Sequence, residues 1–337
     1  MNPKADFYRD MENCEIPFTH IEENITDPAL GEIDKLYGAA DVLSIENAKK
    51  HERNLWLLSA FGTIITILFL LYDEAELHWL IFGCIIIILL LFRLYRLAER
   101  HACHRKYLQY RVLAETLRIQ YFLSLAGVKK QTTDIMPWFI KNGIPWINEV
   151  LMTLPHRDTG KKEPIINCWI RDQLKYHQNK LVKLTGKKEL DDRISKRVLY
   201  ITLATYIIAL AFEIYMLTIP SGEVDWDILS GILKSLQDWG IMIGLTPTDM
   251  IRSILKIVIG TMSAATLFTG SYYGKMSLSN AIEDHRRMVM LYQKAENEIL
   301  QNGESEELII TLARESMIEN STWYAYQNKN TPDITLE

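Results

Sequence analysis

A chain of 337 residues with 48% hydrophobic residues and a formal net charge of −5 has the length of two soluble domains. Its apolar residues are not spread as soluble domains spread them. They gather into four runs near bilayer length, which favours membrane spans over helices buried in a soluble core.

In chain order, the opening "MNPKADFYRD" is polar and carries no secretory signal pattern. The stretch "LGEIDKLYGAADVLSIENAKKHERN" sets Ile33, Leu36, Tyr37, Ala40, Leu43 and Ala48 near one helical face, and so feeds a helix into the first apolar run, Leu55–Tyr72. The second run, Trp79–Phe92, is short, and Arg93 and Arg96 extend it by snorkelling to the interface. "RLAERHACHRKYLQYRVLAETLRIQYFLSLAG" then holds no proline and predicts one continuous helix ending at Gly127. Within it, "HACH" offers His101, Cys103 and His104, but no further ligand at metal-site spacing, so it is read as surface and no metal or cofactor is expected. The four cysteines, Cys14, Cys84, Cys103 and Cys168, have no paired spacing and are expected as reduced thiols.

After Gly127 the chain is rich in proline and glycine and is expected to be irregular. There Trp138, Phe139, Trp146 and Trp169 interleave with basic residues. Cations paired with aromatic planes suit nucleic acid or nucleotides, through phosphate contact and base stacking. The candidate ligand-binding set is Lys129, Lys130, Trp138, Lys141, Trp146, Arg157, Lys161, Lys162 and Arg171. The competing reading puts the tryptophans in the core or at a membrane interface. "CWIRDQLKYHQNKLVKLTGKKELDDRISKRV" leads as a helix, with a break near Gly186, into the third run, Val198–Ile219.

The fourth run, Ile257–Tyr273, contains "GTMSAATLFTG". At 100° per residue, Arg252, Lys256, Ile259, Ser263, Thr266 and Gly270 fall within about 80° of one another. They form the candidate pore-lining stripe, with the small residues Gly260, Ala264 and Ser271 beside it. Small stripes let helices approach closely, so a tight third–fourth pair is expected, with Glu213 meeting Lys256 inside the membrane. Four helices are too few to enclose a wide pore, which points to a homo-oligomer, with a tetramer as the expected form. The rival explanation bonds the hydroxyls back onto their own helix.

Charge sets the orientation. "KKHERN" and "RLYRLAERHACHRK" flank the first two runs with "DEAELH" between them, and residues 220–250 are acidic between the last two. Positive flanks lie inside, so both termini and the middle are expected in the cytosol. The expected organisation is residues 1–50, an acidic lead and helix; 51–96, a first transmembrane hairpin; 97–197, a basic helical region; 198–273, a second hairpin; and 274–337, acidic helices. Residues 1–50 carry 5 Lys/Arg and 11 Asp/Glu, residues 96–197 carry 21 and 10, and residues 274–337 carry 6 and 11. Either the segments pack and neutralise one another, or the centre binds an anion. "HRKYLQYRVLAE" and "HRRMVMLYQKAE" match at His, Arg, a basic residue and a closing Ala-Glu, which suggests a repeated hairpin-plus-helix unit.

The helix with Tyr110, Arg111, Ala114, Glu115, Leu117 and Arg118, followed by Trp169, Ile170, Gln173, Tyr176 and His177, resembles the SLATT family of membrane effector domains. "ENSTWYAYQ" adds to the likeness, which runs from about residue 30 to 330. The resemblance implies an all-α membrane protein with four transmembrane helices in two hairpins, extended by long cytosolic helices. It implies a bacterial anti-phage protein of the inner membrane, whose open pore disrupts the membrane potential. Among stand-alone relatives it is similar to the effectors of Hailong-type systems, which take an oligonucleotide from a companion nucleotidyltransferase. Many relatives carry an N-terminal sensor domain where this sequence has a short acidic lead, so sensing is expected in the cytosolic helices or a partner. A small-solute transporter subunit and a membrane-anchored scaffold remain as alternatives. No catalytic residues are expected, for want of a nucleophile or general-base constellation.

Overall fold

The computed structural model describes residues 2–22, 25–155, 165–218, 227–238, 242, 245–276 and 278–329. Every element among them is helical: α1 Pro3–Glu12, α2 Pro28–Glu74, α3 Leu80–His101, α4 Cys103–Leu125, α5 Thr132–Ile135, α6 Trp138–Gly143 and α7 Pro145–Met152. A π-helical turn, Ile166–Arg171, then leads into α8 Asp172–Thr218, α9 Asp227–Asp238, α10 Pro247–Met276, α11 Leu278–Asn302 and α12 Glu306–Lys329. The chain forms two compact units. One comprises residues 1–53, 101–185 and 279–337, the other residues 54–100 and 186–278.

The first unit is built around α4. Fifteen of its residues are buried, including Leu108, Leu113, Leu117 and Leu123. A helix buried over so much of its surface is a central one. Phe7 of α1, Ile33 and Ala40 of α2, Trp146 and Ile147 of α7, Tyr292 of α11 and Met317 of α12 share its core. The Trp169 indole stacks on Phe122 with centroids 5.1 Å apart and planes 7° apart. Gly127, at φ 67°, ends α4 in the left-handed conformation that L residues resist.

Two sequence expectations on helix continuity are corrected. The helix expected to run unbroken into α4 stops at Ala102, which takes φ 48° and ψ 34° between α3 and α4. The break expected at Gly186 is absent, and α8 passes through it. Strong helix formers flank that glycine, and an isolated glycine costs a helix only about 1 kcal/mol.

The second unit holds the apolar parts of α2, α3, α8 and α10, four helices long and apolar enough to cross a membrane. Between 6% and 11% of the residues in each apolar window are buried. Phe82, Ile86 and Leu89 of α3, and Leu203, Ile207 and Leu210 of α8, are all exposed. Water does not favour so much contiguous apolar surface, whereas a bilayer does. The chain is therefore a multi-pass membrane protein by the length and composition of its helices.

Candidate functional site

Within the first unit, Tyr107, Arg111, Glu115 and Arg118 recur every three or four residues along α4 and share one face of a largely buried helix. The Arg111 guanidinium lies 4.3 Å from the Trp323 ring centroid of α12. Arg118 donates to Glu115. Burial opposes the charge on Arg111, but Tyr176, Tyr107, Glu115 and Glu319 hold it cationic. Burial pushes the Glu319 carboxyl up to about 7; Arg111 opposes this, and the Glu115 and Asp284 carboxylates add to it.

From α8 and α11, His177 and His285 bring their Nδ1 atoms within 2.8 Å, so one ring donates and the other accepts. Burial drives His177 down to about 3, and the neighbouring His285 lowers it further. Burial likewise lowers His285 to about 4, with Arg111 and Lys180 adding to the shift. Tyr292 stacks on His177 at 5.7 Å, and its hydroxyl lies 3.1 Å from the Ser316 hydroxyl. Two fixed cations, a carboxylate near neutrality and two neutral imidazoles thus meet between α4, α8, α11 and α12. Among the described residues, Arg118 Nε and Gln173 Oε1 are buried without hydrogen-bond partners.

Sequence reasoning did not select this centre as a site. Arg111, Glu115, Arg118, Tyr176 and His177 entered only through the family resemblance. The available signal was polar residues at helical spacing inside an apolar helix; no pattern in the sequence linked His177 to His285. The matched segments also diverge in contact: His104 bonds the Gln327 carbonyl at 3.2 Å, whereas His285 meets His177.

The aromatic–basic set is divided. Lys129, Lys130 and Lys141 are exposed, and Trp138 is 77% exposed at the start of α6. Trp146 and Trp169 are core residues, so neither offers a free face to a base in this arrangement. Arg171 donates to Glu296 at 2.6 Å. Arg157, Lys161 and Lys162 lie outside the described residues. The stretch expected to be irregular forms three short helices, α5 to α7, whose Ile140, Ile147 and Val150 join the core.

In the second unit the two faces of α10 differ. A Cβ on Gly260 would lie 2.5 Å from Leu70 Cδ2, so the small-residue face meets α2. Lys256, Ser263, Thr266 and Gly270 are exposed, while Arg252 and Ile259 are half-buried. The Ser263 hydroxyl donates to the Ile259 carbonyl at 3.0 Å, and Thr266 to Met262 at 3.1 Å. Hydroxyls along the stripe therefore bond to their own helix while facing outward. The expected Glu213–Lys256 pair is not formed. Arg252 chelates Glu213 through Nε at 2.7 Å and Nη2 at 2.8 Å. Lys256 instead lies 3.0 Å from Glu74 of α2, which also accepts from Ser253. The planar guanidinium matches a carboxylate at two points, which a lysine cannot do. The close small-residue contact is therefore with the first span, where a third–fourth pair was expected.

Comparison with protein-family models, with curated proteins and with solved structures finds no match to this chain.

Proposed function

We propose that the chain is the subunit of a homo-oligomeric ion channel, with α2, α3, α8 and α10 crossing the bilayer as two hairpins. The outward polar stripe of α10 carries this reading. Lys256, Ser263, Thr266 and Gly270 are exposed on α10, whereas Phe82, Ile86 and Leu89 of α3 and Leu203, Ile207 and Leu210 of α8 expose apolar side chains. A charged or hydroxyl-bearing face on a membrane helix needs water or another protein surface. Four helices enclose too little space for a wide pore, so copies of α10 around a symmetry axis supply it.

Gating is assigned to the helices of the first unit, with a nucleotide or short oligonucleotide as ligand. Lys129, Lys130 and Lys141 present cations beside the exposed Trp138, a pairing suited to phosphates and a stacked base. The positive flanks support a cytosolic side for this unit, and the SLATT resemblance supports a bacterial inner membrane. The SLATT resemblance supplies the defence context: an open pore would collapse the membrane potential of an infected cell, and a companion nucleotidyltransferase would make the ligand.

The test is single-channel current from purified protein in a planar bilayer, with and without short DNA oligonucleotides. Discrete openings whose probability changes with ligand support the channel and give the sign of gating. A silent bilayer containing folded, inserted protein overturns it in favour of a scaffold. Saturable flux without conductance overturns it in favour of a transporter.

A further inference from the structure

Trp146 belongs to the candidate ligand-binding set, and its indole is already covered. The ring of Phe7, fully buried, sits 5.9 Å from it at 35°, and 5.4 Å from Tyr110 at 67°. Trp146 Nε1 donates to Gln109 Oε1 at 3.2 Å, which fixes the indole from its far edge. One turn along α1 from Phe7, the Asp10 carboxylate accepts from Lys106 Nζ at 2.6 Å and from the Tyr110 hydroxyl at 2.9 Å. Asp6 lies 4.0 Å from Arg105. The α1 segment thus sets the Phe7 ring against Tyr110 and Trp146, the Asp10 carboxylate against a lysine and a phenol, and the Asp6 carboxylate near an arginine. A nucleobase with its phosphate makes the same two demands.

The attachment of α1 suits release. Phe7 is the one α1 residue fully inside the core; Tyr8 and Met11 pack on it half-buried, and Lys4–Glu149 at 3.2 Å is an exposed pair. Residues 13–18 have no helix and touch the core through Cys14 and Phe18, and side-chain hydrogen bonds to α2 begin at Thr19, which donates to Asp41 at 2.9 Å, and at Ile21, whose N–H donates to Asp34 at 2.7 Å. Six extended residues reach about 20 Å, enough for α1 to leave while Thr19–Ile21 stay in place.

We propose that α1 is an internal competitor: Asp6, Phe7 and Asp10 occupy a site for an aromatic, phosphate-bearing ligand formed by Tyr110, Trp146, Lys106 and Arg105. The ligand enters when α1 leaves. This rests on the nucleotide reading above and deepens it by giving the ligand a site and the acidic lead a role. Occupancy by α1 reduces the fraction of chains competent to bind, so weakening α1 raises apparent affinity in proportion.

The test uses the full-length protein in nanodiscs and a fluorescein-labelled DNA oligonucleotide, read by anisotropy. Asp10→Asn and Phe7→Ala are expected to tighten binding about ten-fold over the parent chain. Asp10→Asn leaves Phe7 in the core, so it reports even if Phe7→Ala loosens the fold. Adding Lys106→Ala to Asp10→Asn should abolish the gain. In the parent chain, oligonucleotide should increase protease cleavage between residues 13 and 18. Equal affinity across all variants overturns the competitor while the nucleotide reading stands. A gain that survives Lys106→Ala puts the ligand elsewhere and also overturns it. Binding by none of the variants overturns the nucleotide reading and this proposal with it.

Discussion

At the scale of single residues, two backbone positions have definite consequences. Ala102 carries a Cβ at φ 48°, a conformation that costs an L residue roughly 1–2 kcal/mol. Glycine removes that cost but adds about 0.4–1 kcal/mol of unfolded-state entropy. Ala102→Gly should therefore stabilise the protein by about 0.5–1 kcal/mol, seen as a higher melting temperature in detergent; a lower one would show that Ala102 is unstrained. Gly38 is the opposite case, since a Cβ there would lie 2.0 Å from the Thr19 carbonyl oxygen. Backbone cannot swing aside as a side chain does, so Gly38→Ala should detach Thr19–Ile21 and expose the lead to protease. The polar centre gives a pH profile with two limbs. Burial raises Glu319 from 4.5 to about 7, with Glu115 and Asp284 adding and Arg111 and Arg118 opposing. Its contribution is complete below pH 4.5 and is lost as pH rises through about 7, up to about 3 kcal/mol by linkage. His177 and His285 are lowered instead, so their contribution is complete above 6.5 and is lost as pH falls toward about 3 and about 4. Between pH 4.5 and 6.5 the two limbs overlap with opposite slopes, so each partly masks the other in the parent chain. Glu319→Gln should flatten the alkaline limb and His285→Asn the acid limb in denaturation series across pH; unchanged profiles would place the titration elsewhere.

At the scale of elements, α10 shows how far a helical projection reaches. The projection separated the small-residue stripe from the hydroxyl stripe, because 100° per residue is a property of the backbone alone. It could not say which neighbour meets the small stripe, since that depends on the packing of all four helices. The same limit explains the Glu213 pairing. Depth along a span is legible in sequence, but the competition between Arg252 and Lys256 for one carboxylate is decided by rotamer and approach. In the first unit, amphipathic periodicity made the helices legible, and Ile33, Ala40 and Leu43 are buried as the α2 pattern requires. The polar centre was less legible because it joins residues more than one hundred positions apart. The contact with α2 yields a testable coupling. A Cβ on Gly260 meets only the flexible end of Leu70, so Gly260→Ala should destabilise the second unit by about 1–3 kcal/mol as overpacking. Leu70→Val should recover most of that loss, and additive effects in the double variant would remove this contact from the account.

At the scale of the whole molecule, the described residues divide between a unit that holds the apolar spans and one in which acidic and basic segments pair with each other. Asp6 and Asp10 of the acidic lead face Arg105 and Lys106, and Glu296 of the acidic C-terminal region meets Arg171 of the basic centre. That is the neutralising arrangement which the charge counts left open, and the exposed Lys129, Lys130 and Lys141 remain as a basic surface beyond it. In the apolar unit, Ser263 and Leu89 are both exposed, one on the polar stripe of α10 and the other among the isoleucines and leucines of α3. Membrane burial alone treats the two positions alike, whereas a pore on the α10 stripe separates them. Replacing Cys168, the exposed native thiol, with serine provides a background for Ser263→Cys and Leu89→Cys. A charged methanethiosulfonate reagent reacts rapidly only with a thiolate in contact with water. Open channels of the Ser263→Cys variant should lose conductance on adding the reagent, and those of the Leu89→Cys variant should not. Reaction in neither variant would place the hydroxyl stripe against protein or lipid and remove the pore axis from α10. Equal block in both would mean that the four helices do not separate a wet face from a lipid face at all.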